Sequence, residues 1–142
     1  MISAWVIDAS IGFAWVHPDQ ATTETDNLLQ KVEEGTRLVV PILWYMEVAN
    51  GLLVLQRRGK LTSKERKSAL DTLGGLNLIA DEETGRAAFR KTSELAEKYG
   101  LSVYDAVYLE TAIRRRLPLA SRDKALLAAA RRCRIKTLLG RG

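Results

Sequence analysis

The chain has 142 residues, 46% hydrophobic and 27% charged, with a formal net charge of +5. That balance suits one globular domain over residues 1–142, and no stretch approaches the roughly 20 apolar residues of a membrane span. A single histidine, His17, and a single cysteine, Cys133, exclude an internal disulfide, a cysteine-rich zinc site and paired-histidine acid–base chemistry.

The elements alternate along the chain. Ala4-Trp5-Val6-Ile7 reads as a buried strand that meets an acid at Asp8. The opening residues carry no basic leader, so a cytoplasmic protein is expected. A helix is predicted over 23–34, with Leu28, Leu29 and Val32 on one side and Gly35 as its stop. Residues 37–40 form a second strand, and Pro41 suits the first turn of a helix that runs to about Arg58. Thr62 can cap the next helix, which ends at Gly74-Gly75; residues 76–80 form a third strand. A helix over 82–99 closes at Gly100. Ser102 caps a helix over 103–116, a short strand covers 117–120, a helix covers 123–132, and a last strand covers 135–139. Strands alternating with helices imply an α/β fold: a three-layer α/β/α sandwich around a mostly parallel sheet of about five strands. Such sheets bind ligands at the carboxyl ends of strands where the strand order reverses.

Charge is uneven. From Arg114 onward ten basic residues face one acid, Asp123; the first 113 residues hold 12 basic and 16 acidic residues. A basic end of this kind suits a polyanion such as nucleic acid, or is simply a solvated surface. With one histidine and one cysteine, hydrolytic chemistry has to rest on carboxylates, which suit hard, oxygen-loving cations.

Four acids stand out. Asp8 ends the first strand, as a ligand-crevice carboxylate or as a helix N-cap. Glu47 interrupts a helix that is otherwise nearly all apolar from Ile42 to Val54, sharing its face with Asn50; an ionised carboxylate buried there needs a compensating partner, unless the stripe is exposed. Asp105 stands three residues after Ser102 in an S-x-x-D capping pattern, and Asp123 sits at another strand-to-helix junction. Drawn together, two such charges about 4 Å apart repel by roughly 4 kcal/mol at an effective dielectric near 20. The cluster then takes up protons or binds a cation.

At these residues the chain resembles the PIN-domain nucleases, and among them the VapC toxins of toxin–antitoxin pairs. The resemblance is carried by Val6-Ile7-Asp8-Ala9-Ser10, Glu47-Val48-Ala49-Asn50, Ser102-Val103-Tyr104-Asp105-Ala106-Val107-Tyr108-Leu109 and Leu119-Ala120-Ser121-Arg122-Asp123-Lys124-Ala125-Leu126. It implies a Mg²⁺- or Mn²⁺-dependent endoribonuclease that hydrolyses RNA with a metal-activated water. By position, Asp8, Glu47, Asp105 and Asp123 are then the catalytic and metal-binding set, with Asp8 and Asp105 as main ligands. Ser10, Asn50 and Ser121 orient the carboxylates. The resemblance further implies a homodimer and a cognate VapB-type antitoxin. Trp44, Tyr45, Leu52, Leu53 and Leu55 are candidate receivers for that partner. Arg57, Arg58, Lys60, Arg114, Arg115, Arg116, Arg122 and Lys124 are candidate contacts for RNA phosphates. The alternative is a phosphatase, or a receiver-like Mg²⁺-binding α/β domain without nuclease activity. The phosphatase needs a second acid two positions after Asp8, where this chain has Ser10, and receivers pair two early acids where it has Asp8 alone.

Overall fold

The computed structural model describes residues 3–138. Its sheet holds five parallel strands in the order β3-β2-β1-β4-β5: β1 (Ala4–Ile7), β2 (Arg37–Pro41), β3 (Leu78–Asp81), β4 (Leu119–Ala120) and β5 (Thr137–Leu138). Helices cover both faces, giving the three-layer α/β/α sandwich. The central strands are apolar on both sides because both faces are covered: all four residues of β1 and the last four of β2 are buried. Among the described residues no helix is long and apolar enough to cross a membrane.

The order places the reversal beside β1. The chain steps outward from β1 to β2 and β3, then returns to lay β4 on the other side of β1. The crevice outside the carboxyl ends of β1 and β4 is thus the switch point of the sheet.

The helices are α1 (Ala9–Val16), α2 (Thr23–Glu33), α3 (Ile42–Arg57), α4 (Ser63–Gly74), α5 (Thr84–Ala87), α6 (Ser93–Tyr99), α7 (Val103–Arg115) and α8 (Lys124–Arg132). Several ends follow from local chemistry. Thr22 and Thr62 each close a capping box, with Thr25 and Glu65 respectively. Gly100 ends α6 at φ 66°, the left-handed conformation that glycine adopts without a Cβ clash.

The structure departs from the expected elements in several places. Helix α1 was not foreseen: its run ASIGFAWV carries too little polar contrast to reveal a helix by periodicity. Pro41 is the last residue of β2, paired in register with Asp81, and stands at the N-cap of α3 rather than in its first turn. The third strand starts two residues late and ends on Asp81, because Asn77 turns its amide to the carbonyls of Val32 at 3.0 Å and Thr36 at 3.5 Å. The helix expected over 82–99 is interrupted by a π-helical turn, Ala88–Thr92. Strands β4 and β5 are shorter than expected, and Leu139, assigned to the last strand, lies outside the described residues.

Candidate functional site

Register brings the first two functional segments together. Ile7 pairs with Ala120 across the parallel β1–β4 ladder, and Asp8 N–H donates to the Ala120 carbonyl at 3.3 Å. The next residues on each strand, Asp8 and Ser121, therefore become neighbours at the switch point. Ser121 Oγ donates to one carboxylate oxygen of Asp8, and Ser10 Oγ donates to the other at 2.5 Å. These serines are tied in turn. Ser10 Oγ accepts the Arg122 N–H at 2.8 Å, and Ser121 Oγ accepts the Asp123 N–H at 2.9 Å.

Asp8 stands at the N-cap position of α1, yet its carboxylate makes no capping hydrogen bond. It is 6% exposed. Burial pushes its carboxyl from 3.8 up to about 6; the two serine hydroxyls and the Ile11 N–H oppose that rise, and the charge of Asp123 adds to it. The cap explanation therefore accounts for the position of Asp8 but not for its side chain.

Helix α3 is anchored to the same point. Trp44, buried, donates its indole N–H to the Asp8 carbonyl at 3.1 Å. Glu47 lies three residues on, along the same helix face. It is half-buried, and its carboxylate accepts the phenolic O–H of Tyr108. Burial raises its pKa, the Tyr108 hydrogen bond opposes this, and the charge of Asp105 adds to the rise.

On α7, Ser102 Oγ accepts the Asp105 N–H at 3.0 Å and so supplies the cap. The Asp105 carboxylate has no hydrogen bond among the described residues, and its pKa is raised by burial and by the charge of Asp123. Asp123 differs: its carboxylate caps α8, accepting the Ala125 N–H at 2.9 Å and the Leu126 N–H at 3.2 Å.

The four acids thus meet electrostatically in a chain: Asp8 feels Asp123, Asp105 feels Asp123, and Glu47 feels Asp105. They are not gathered into a ready cage. Among the described residues no three acidic, histidine or cysteine side chains stand close enough to hold a metal ion as they are. The donor set nonetheless fits a hard divalent cation. Its candidate donors are all carboxylate oxygens, desolvation and neighbouring acids raise the pKa values of Asp8, Glu47 and Asp105, and Mg²⁺ needs only one or two direct carboxylates because it keeps several waters.

Other expectations divide. Asn50 is exposed and has no side-chain hydrogen bond among the described residues. Arg114 and Arg115 are not free phosphate contacts. Arg114 grips the fully buried carboxylate of Asp81 with two bonds of 2.9 Å and Glu110 with bonds of 2.9 and 3.1 Å; Arg115 Nε reaches Asp81 at 2.6 Å. Burial alone would raise the Asp81 carboxyl, but these guanidiniums and the Glu83 N–H hold it down at about 2. Arg57, Arg58, Lys60, Arg116, Arg122 and Lys124 are exposed. Trp44 and Leu52 are core residues, 2% and 0% exposed, so they receive no partner. The large apolar side chains that α3 does expose are Ile42, Tyr45 and Met46. Sequence reasoning missed Tyr108, whose only signal was its spacing three residues after Asp105.

Comparison with known proteins agrees with this architecture. The family model for the PIN domain matches residues 5–132. No match to a curated protein sequence was found. Among solved structures, the chain is similar to PAE2754 from Pyrobaculum aerophilum, with 21% identity and a TM-score of 0.70 over 94% of this chain and 83% of the other. It is also similar to VapBC2 from Rickettsia felis bound to a DNA fragment from their promoter (14% identity, TM-score 0.66, 94% and 96% covered). A toxin–antitoxin complex from Klebsiella pneumoniae matches with 21% identity and a TM-score of 0.53, covering 84% and 86%. The match over residues 5–132, nearly the whole chain, shows that the protein belongs to the PIN domain family.

Proposed function

We propose that this protein is a divalent-cation-dependent endoribonuclease and the toxin of a toxin–antitoxin pair. The observation that carries the reading is the Asp8 carboxylate. It is buried, held by two hydroxyls, unused as a helix cap, and pressed upward in pKa toward neutrality beside further acids at the sheet's switch point. A carboxylate kept in so unfavourable a setting marks a functional group, since replacing it would relieve the fold.

Asp8 and Asp105 would hold Mg²⁺ or Mn²⁺, with Glu47 and Asp123 ligating directly or through water. When bound, the cation activates a water and offsets charge on the scissile phosphate. The chain's own residues do the rest. Ser10 and Ser121 fix both oxygens of Asp8, and their bonds to the backbone of Arg122 and Asp123 lock the β4–α8 turn to β1. Arg122 and Lys124, exposed on that turn, supply cations for RNA phosphates; such contacts position the substrate without reading its sequence. Ser10 occupies the place where the rival phosphatase needs its second acid, and its hydroxyl is already tied to Asp8.

Solved relatives described as VapBC2 and as a toxin–antitoxin complex support a partner for this chain too. We assign the exposed Ile42, Tyr45 and Met46 of α3, which flank Glu47, to an antitoxin segment or to a second copy of the chain.

The assay incubates pure protein with structured RNA, and separately with DNA of the same sequence, with Mn²⁺ or with chelator. The Asp8→Asn variant is run alongside. RNA cleavage that disappears with chelator and in Asp8→Asn is the expected result. Intact RNA beside phosphate released from small phosphomonoesters would overturn the reading. Co-expression with the neighbouring reading frame should yield a stable complex with suppressed cleavage.

A further inference from the structure

Tyr108 is 1% exposed, so its ring fills core volume whatever the hydroxyl does. The hydroxyl itself points out of the core into the acidic crevice. It lies one turn after Asp105 on α7, reaches across to α3, and donates to one oxygen of Glu47, 61 positions away in sequence. No other hydrogen bond holds the Glu47 side chain among the described residues, whereas Asp8 has two donors and Asp123 two backbone N–H groups. Burial raises the phenol's pKa, and the charges of Glu47, Asp8 and Asp105 raise it further, so the group remains a protonated donor.

We propose that Tyr108 is a positioning residue of the acidic site: its O–H fixes one oxygen of Glu47 and leaves the other available, directly or through a water, to a divalent cation held by Asp8 and Asp105. The proposal rests on the cation-binding reading above. It gives α7 two tasks in one turn, since Asp105 supplies a ligand and Tyr108 aims the ligand of another helix. A glutamate on a half-exposed face, with rotatable torsions and repelled by Asp105, would otherwise swing to solvent.

The test is a double-mutant cycle read by Mn²⁺ binding. Free Mn²⁺ is followed by electron paramagnetic resonance during titration of wild type, Tyr108→Phe, Glu47→Gln and the double variant. Phenylalanine keeps the ring and its packing, and urea midpoints check that each variant is folded. Removing an orienting hydrogen bond of this kind should weaken Mn²⁺ binding by about 10-fold to 100-fold in Tyr108→Phe. The double variant should bind no more weakly than Glu47→Gln alone, because the hydroxyl then has no carboxylate to aim. Binding by Tyr108→Phe within about two-fold of wild type overturns the proposal while the nuclease reading stands, and so does a full additional loss in the double variant. Wild type that takes up no Mn²⁺ at all overturns the cation-binding reading itself, and the role of Tyr108 with it.

Discussion

Replacing Asp8 with asparagine should stabilise the metal-free protein, and only at the pH where Asp8 would be charged. In the fold its carboxyl titrates near 6, against 3.8 for the ordinary group. Between those values the folded state binds the proton and the unfolded state does not. Stability therefore falls as pH rises from about 4 to about 6 and stays low above that. The gap is about two pKa units, which at roughly 1.4 kcal/mol per unit comes to about 3 kcal/mol lost by pH 8. Glu47 and Asp105 are shifted in the same direction and steepen the loss. Asparagine carries no charge to desolvate, its amide oxygen still accepts one of the two serine hydroxyls, and its NH₂ can donate to the other serine oxygen. In chelator, urea unfolding should show Asp8→Asn more stable than wild type by up to about 3 kcal/mol at pH 8 and nearly equal to it at pH 4. Adding Mn²⁺ at about 100 times its dissociation constant should raise wild type by about 2.7 kcal/mol and leave the variant unmoved. An Asp8→Asn protein no more stable than wild type at pH 8, or equally stabilised at both pH values, would refute the argument.

The Asp81 cluster behaves oppositely. Asp81→Asn leaves two guanidiniums without their buried partner, and a loss of about 3 kcal/mol is expected, the low end for a broken buried pair because Arg114 and Arg115 are about a third exposed. Since its folded pKa is about 2, the contribution is complete above 3.8 and disappears as pH falls through 2; denaturation curves at pH 7 and pH 2 measure both. For RNA binding, Arg122→Ala should reduce the slope of log affinity against log salt by about 0.7, as expected for one lost single-strand phosphate contact. Arg114→Gln should leave that slope unchanged and lower the urea midpoint instead.

Much of the architecture was legible because its signals are local. The capping residues Thr62, Ser102 and Asp123, the stop at Gly100 and the apolar strands β1 and β2 announce their elements within a few positions. Helix α1 was not legible, since its eight residues are packed from several sides and carry no polar face to betray the period. Asp81 misled for a related reason. An acid after an apolar run reads as the end of a strand, and the guanidiniums that make it tolerable inside one lie 33 and 34 positions later. The same long-range pairing removed Arg114 and Arg115 from the free basic surface. In the candidate site, the positions of the acids could be read from their junctions, but what each side chain does could not. The capping patterns at Asp8, Asp105 and Asp123 look alike in sequence, and only the coordinates separate the one carboxylate that caps, on Asp123, from the two that do not. Likewise the donors on Asp8 from Ser121 and on Glu47 from Tyr108 cross 113 and 61 positions.

If acids from four segments form one cation site at the β1–β4 switch point, a bound Mn²⁺ must sit among them. Anomalous scattering from a crystal grown with Mn²⁺ tests it directly. A peak is expected within ligand distance of Asp8 and Asp105, with Glu47 and Asp123 in direct contact or one water away. No peak at saturating Mn²⁺, or peaks only at sites remote from Asp8, would contradict it.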